Sequence, residues 1–202
     1  MQVKCSFAAS RGMTMPSSKR QPTNSNNNQA MVMMAYRSNR YDNIIAIDPD
    51  KEKSGVAYLK PSTRQLEVSN LAFPLLLDYL QHAKSKSGET QESLIVVVEA
   101  GWMNAKSCFH AAQGKQAEKI AKDVGANHET GRKIIEMCEH YGIEVLPHIP
   151  LVKCWKGKDR KITHEELASF TGIMGRTNQD ARDAALLAWT FAGLPIRIKA
   201  GG

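Results

Sequence analysis

The chain has 202 residues, 42% of them hydrophobic and 23% charged, which fits one soluble globular domain with a sizeable core and some extra. No apolar run approaches ~18 residues, and no apolar core precedes a small-residue cleavage site near the start, which argues against a membrane-spanning helix and a secretory signal. The net charge of +7 suggests a polyanionic partner, but Lys4, Arg11, Lys19, Arg20, Arg37 and Arg40 put +6 of it in residues 1–40, which hold no acid. A nucleic-acid reading must therefore rest on local clusters and not on the global charge. Cys5, Cys108, Cys138 and Cys154 lie far apart with no CxxC pair, against a zinc ribbon or a disulfide framework. Reduced thiols in a cytoplasmic protein are the simplest reading.

Residues 1–40 are polar, Asn-rich and aperiodic, as expected of a disordered basic leader ahead of a domain over 41–202. The leader suits either a basic arm for nucleic acid or an over-long gene start, since Met31, Met33 and Met34 sit just before the domain. Asn43–Asp48, Val56–Lys60 and Gln65–Ala72 then read as three short strands with tight turns, an antiparallel meander. Phe73-Pro74 opens a helical pattern with Leu75, Leu76, Tyr79 and Leu80 as its apolar stripe, and "KSKSGETQ" is expected to end it. Ser93–Glu99, "SLIVVVE", is a continuous apolar strand of the kind buried on both faces.

Two helices are expected next, Ala105–Lys122 and Asn127–Tyr141, the second with Asn127 as N-cap and Gly142 just past its end. "IEVLPHIP" is a further strand. Thr163-His164-Glu165-Glu166 has the T-x-x-E form of a capping box and should start a helix. Gln179–Ala192, rich in Ala and Leu, is the last helix. The order predicts a mixed sheet with helices on its faces.

Four acids hold privileged places. Asp48 ends the first strand, Glu99 ends the most apolar one, and Asp180 and Asp183 open the last helix three residues apart, on one side of it. A single acid at a helix start is ordinary capping, and an acid before Pro49 is a common turn residue. Four acids converging at one sheet edge could not all stay charged without a cation. Hard oxygen ligands suit Mg²⁺ or Mn²⁺, and two such ions roughly 4 Å apart can activate a water and stabilise the leaving oxygen of a phosphodiester displacement. Between the second and third acid elements, "LVKCWKGKDRK" sets five Lys or Arg residues in Lys153–Lys161 against Asp159 alone. Such a run gives sequence-independent, salt-sensitive affinity for phosphates, or is a solvated loop. Trp155 suits the core more than a base. His148 and His164 suit a surface or core role.

This ordered set resembles the RuvC branch of the RNase H-like nucleases, the Holliday-junction resolvases, over about Asn43 to Ala192. The family's opening pattern D-P-G-x-x-x-T-G-x-A stands here as Asp48-Pro49-Asp50-Lys51-Glu52-Lys53-Ser54-Gly55-Val56-Ala57. Its second acid matches Glu99, and its closing D-A-x-D-A matches Asp180-Ala181-Arg182-Asp183-Ala184. The resemblance implies an RNase H-like α/β fold: a mixed five-stranded sheet, a three-strand meander plus parallel strands, flanked by helices. It implies an endonuclease of branched DNA with two Mg²⁺ or Mn²⁺ ions per site on Asp48, Glu99, Asp180 and Asp183. It also implies DNA contacts from Trp102, which falls where the family has a junction-holding aromatic, and from Lys153, Lys156, Lys158 and Lys161 in the P-x-x-V-K segment and beyond. A homodimer is implied too, with Asn127–Tyr141 a candidate dimer surface. Two departures stand out: Asp50 replaces the turn glycine and Ser54 a threonine. The helical region Ala105–Ala126 is also longer than the family pattern. Other readings are a RuvC-like nuclease domain of a transposase or recombinase, a non-catalytic branched-DNA binding protein, and a sugar-kinase-like phosphotransferase. The last would need a phosphate-binding glycine turn and a second nucleotide domain, and neither is visible.

Overall fold

The computed structural model describes residues 40–104 and 115–196. Residues 1–39 of the expected leader and Ala105–Gly114 of the expected helix lie outside the described residues. A five-stranded sheet organises the rest: β1 (Asn43–Asp48), β2 (Ser54–Lys60), β3 (Gln65–Leu71), β4 (Leu94–Glu99) and β5 (Glu144–His148), in the order β3-β2-β1-β4-β5. The pairs β1·β2 and β2·β3 are antiparallel, while β1·β4 and β4·β5 are parallel. This is the expected mixed five-stranded sheet, an antiparallel three-strand meander plus parallel strands. Among the described residues four α-helices complete it: α1 (Phe73–Thr90), α2 (Lys115–His140), α3 (His164–Thr171) and α4 (Gln179–Phe191). None of the described helices is long and apolar enough to cross a membrane.

The two faces follow from strand alternation. Ile44, Ala46, Ala57, Leu59, Ile95 and Val97 pack on one side against Leu167 of α3 and Ala184, Leu187 and Trp189 of α4. Ile45, Ile47, Val56, Val96 and Val98 pack on the other against Leu76 and Leu80 of α1 and Ile134 and Cys138 of α2. Each aliphatic side chain fully buried in this way contributes about 1.5–3 kcal/mol. The central strands β1 and β4 are covered on both sides, which is why their sequences are continuous apolar runs.

Two local expectations need correction and a third is sharpened. Leu75 is 59% exposed, so the α1 stripe narrows to Leu76 and Leu80 with Tyr79 half-buried. The "KSKSGETQ" segment does end α1, at its far end: the helix runs to Thr90 and closes on Gln91, a left-handed C-cap. Asn127 is not an N-cap. One helix, α2, runs from Lys115 through it to His140. The Asn127 amide oxygen accepts the backbone N–H of Lys51 at 3.0 Å and its Nδ2 donates to Asp50 at 3.1 Å. A side chain committed to the β1–β2 turn no longer competes for its own helix backbone. Gly142 does sit past the end of α2, at φ +64°, where the N–H of Ile143 reaches the carbonyl of Cys138.

Candidate active site

Strand parity sets the first two acids. Asp48 follows Ile44 and Ala46, and Glu99 follows Ile95 and Val97, all on the α4 face of adjacent parallel strands. Both carboxylates therefore leave the carboxyl end of the sheet on the side where α4 begins.

Gly55 brings α4 there. It lies opposite Asp48 in the antiparallel register. A Cβ at Gly55 would stand 2.1 Å from the backbone oxygen of Asp180, so only glycine admits the first turn of α4 this close to β2. That turn is capped by Asn178, whose side-chain oxygen accepts the N–H of Ala181 at 2.9 Å. Asp180 and Asp183 are thus not needed as caps. Asp48, Glu99 and Asp183 line one cleft together with Lys153, Lys161 and Trp155. Asp180 does not line it but stands half-buried beside it, within electrostatic reach of Asp48, Asp50 and Lys161.

The electrostatics are those of crowded acids. Burial pushes Asp48 well above the usual carboxylate range, and the charges of Glu99, Asp183 and Asp180 push it further, against the pull of Lys161. Burial, then Asp183, raises Glu99, with Lys161 and Lys153 opposing. Burial also raises Asp180, with Asp50 and Asp183 adding and Lys161 and Arg182 opposing. Lys161 is the cation of the group. Its Nζ donates to Asp183 Oδ2 at 2.8 Å, while Gln179 Nε2 donates to Asp183 Oδ1 at 2.7 Å. Burial alone would lower the Lys161 ammonium, but the hydrogen bond and charge of Asp183, with Asp48 and Asp180, raise it. Among the described residues no three His, Cys, Asp or Glu side chains come close enough to cage a metal by themselves. The donor set is nonetheless all hard oxygen. It fits a cation that takes one or two carboxylates and completes its shell with waters and phosphate oxygens.

The basic segment divides in two. Lys161 points inward to Asp183, and Lys153, though exposed, lines the cleft and acts on Glu99. Lys156, Lys158 and Arg160 are exposed and do not line the cleft. Trp155 packs, its ring stacked on Phe170 at 6.1 Å, which in turn meets Trp189. Trp102 lies in a 3-10 turn, Gly101–Met103, directly after β4. It is half-buried, with Arg132 5.1 Å from its ring centre and His128 edge-on at 6.0 Å, and it approaches Gly131 closely enough that a Cβ there would stand 2.7 Å from the ring. Asp50 turns out to organise the turn: Oδ1 accepts the N–H groups of Glu52 and Lys53, and Oδ2 accepts Asn127. His148 ends β5 buried, its Nδ1 against the carbonyl of Ile149, and His164 starts α3 beside Thr177.

Sequence reasoning missed one participant. Glu166 was legible as a capping residue, but its carboxylate also accepts the backbone N–H of Lys156 at 3.1 and 3.2 Å. Nothing in the spelling of the loop signals a bond across ten residues.

No family model and no curated protein matches this chain. Among solved structures it is similar to T. thermophilus RuvC in complex with a Holliday junction substrate, at 15% identity and a TM-score of 0.41, over 75% of this chain and 94% of that one.

Proposed function

We propose that the protein is a metal-dependent endonuclease of branched DNA, cutting four-way junctions by phosphodiester hydrolysis. The observation that carries this reading is the meeting of Asp48, Glu99 and Asp183 in one cleft, with Asp180 beside it and a basic segment along its rim. Crowding that raises Asp48 and Glu99 in this way does not serve stability. Raised carboxylates in a cleft mark a functional site.

Asp48, Glu99, Asp180 and Asp183 would hold Mg²⁺ or Mn²⁺, one ion or two. Bound there, the metal would supply water activation and charge stabilisation at the scissile phosphate. The chain's own residues supply the rest. Lys161 and Lys153 set positive charge against a phosphate entering the cleft, where negative charge grows during displacement. Lys156 and Lys158 hold flanking phosphates as point charges, which gives affinity without base readout. Trp102, beside the end of β4, offers a ring on which a base of an opened junction stacks. A four-way junction is two-fold symmetric, so paired cuts call for two such sites, and a homodimer is part of the proposal.

The test is a labelled four-way junction with Mg²⁺. Symmetric paired nicks that disappear in Asp48→Asn support the reading. Binding of the junction with no cutting at any Mg²⁺ or Mn²⁺ concentration would make the protein a non-catalytic junction binder instead.

A further inference from the structure

The basic loop is held in an unusual shape. The N–H of Trp155 bonds the carbonyl of Arg160 at 3.1 Å, and that of Gly157 bonds Lys161 at 3.0 Å, so the segment closes on itself. Asp159 and Arg160 both sit at positive φ, 55° and 60°, a region that side chains other than glycine seldom enter. Five cations crowd into Lys153–Lys161 against Asp159, and their repulsion favours an open loop. Something outside the loop has to oppose both the strain and the repulsion.

Glu166 is placed to do so. It lies on α3 and is 7% exposed. Its Oε2 accepts the N–H of Thr163 at 3.0 Å, the ordinary reciprocal half of a capping box. The same carboxylate takes the N–H of Lys156, shared between its two oxygens. It pairs with no lysine, arginine or histidine side chain among the described residues, so its charge is spent on backbone amides. At the far end of the loop, Arg182 Nε holds the carbonyl of Ile162 at 3.1 Å, which ties that end to α4. Between the two ties lies Lys161, delivered to Asp183.

We propose that Glu166 is a positioning residue for the reaction: by clamping the Lys156 amide it folds the basic loop so that Lys161 enters the acid cluster while Lys156 and Lys158 face outward. This rests on the endonuclease reading. It goes beyond helix capping, because a cap alone needs only the Thr163 half of the arrangement.

The experiment compares Glu166→Ala, Glu166→Gln and Thr163→Val in the full chain. Thr163→Val removes the side-chain cap of the same helix and leaves the carboxylate in place. Four readouts apply: melting temperature, junction affinity without metal, single-turnover nicking with Mg²⁺, and exchange of the Lys156 amide with no DNA present. Glu166→Ala should slow nicking about 10–100-fold by misplacing Lys161. It should change low-salt affinity less than about 3-fold, because the outward lysines keep their charges. Thr163→Val, with a comparable loss of stability, should slow nicking by less than about 3-fold. Glu166→Gln, which keeps the shape and one acceptor oxygen, should recover part of the rate. Lys156 exchange should accelerate in Glu166→Ala and not in Thr163→Val. Equal slowing in Glu166→Ala and Thr163→Val, or unchanged Lys156 exchange in Glu166→Ala, would overturn the proposal. A wild-type chain that never nicks would instead overturn the endonuclease reading, and Lys156 exchange would still report on the clamp.

Discussion

The two ends of the sheet treat their charges in opposite ways, and β1 takes part in both. At its start, Asn43 donates to Glu92 at 3.0 Å and accepts from the Tyr58 hydroxyl, while Lys60 also reaches Glu92. Asp42 accepts both the N–H and the hydroxyl of Ser93. These acids lie low, Glu92 chiefly through Lys60 and Asp42 chiefly through the Ser93 amide. At the other end of the same strand, Asp48 meets more acids, and burial with their charges drives it up. The chain thus pairs its carboxylates with donors where only cohesion is at stake. At the end that the basic segment lines, Asp183 still takes Lys161 and Gln179, but Asp48 and Glu99 are left buried among other acids. On the proposed reading, that crowding is held for a metal and a phosphate.

The largest effect that would break this contrast is on turnover. Asp48→Asn should reduce junction nicking by at least about 10³-fold, whereas Asp42→Asn at the opposite end should leave it within about 2-fold. Equal losses would dissolve the distinction. Next, Lys161→Ala should cost about 10–100-fold in nicking by removing the cation beside the developing charge. Lys60→Ala, which also removes an acid's lysine, should lower melting temperature without touching the rate. A third test uses pH. Asp48 and Glu99 are raised in the folded chain, so the folded state keeps protons that the unfolded state releases. Their contribution is fully present below the unfolded carboxylate range and is lost as pH rises through the raised folded values. Asp48→Asn should therefore raise the metal-free melting temperature near neutral pH, by a few degrees if the change is on the order of 1 kcal/mol. Glu92 is lowered, so its contribution is present above the unfolded range and lost on acidification, and Glu92→Gln should lower the melting temperature at neutral pH. Same-sign shifts would remove the basis of the comparison. The smallest effect belongs to the outer rim. Lys158→Ala should weaken junction binding a few-fold and reduce its salt slope by about 1, with the nicking rate of bound substrate unchanged.

Much of this was legible because it depends on period and order. The alternation that buries Ile44 and Ala46 on the α4 side also aims Asp48 there, and Ile95 and Val97 do the same for Glu99. The meander and the Thr163–Glu166 box are equally local signals, while the five-stranded sheet itself was implied by the resemblance. What escaped depends on partners distant in sequence. Asn127 looked like a cap until its amide was found on the β1–β2 turn, and Asp50 looked like a departure from the family's turn glycine until its oxygens were found holding that turn. The lysines looked equivalent because spacing cannot show that a loop with two left-handed residues turns Lys161 inward and Lys158 outward. Trp102 was read as a DNA contact implied by the resemblance, and its half-buried place beside Arg132 and His128 suits packing as well as stacking.

Gly55 carries a consequence of a different kind. On the α4 side the atoms that a Cβ would strike belong to the backbone, so they cannot swing away as a side chain would. The gap between β2 and α4 is therefore a fixed gauge, and it sets how far Asp180 and Asp183 stand from Asp48. Cations that differ in radius differ in the carboxylate spacing they accept. On the proposed reading, the choice of ion is governed by a residue that offers it no atom. Widening the gauge by a single methyl group would retune that choice while every charge in the molecule stayed where the sequence put it.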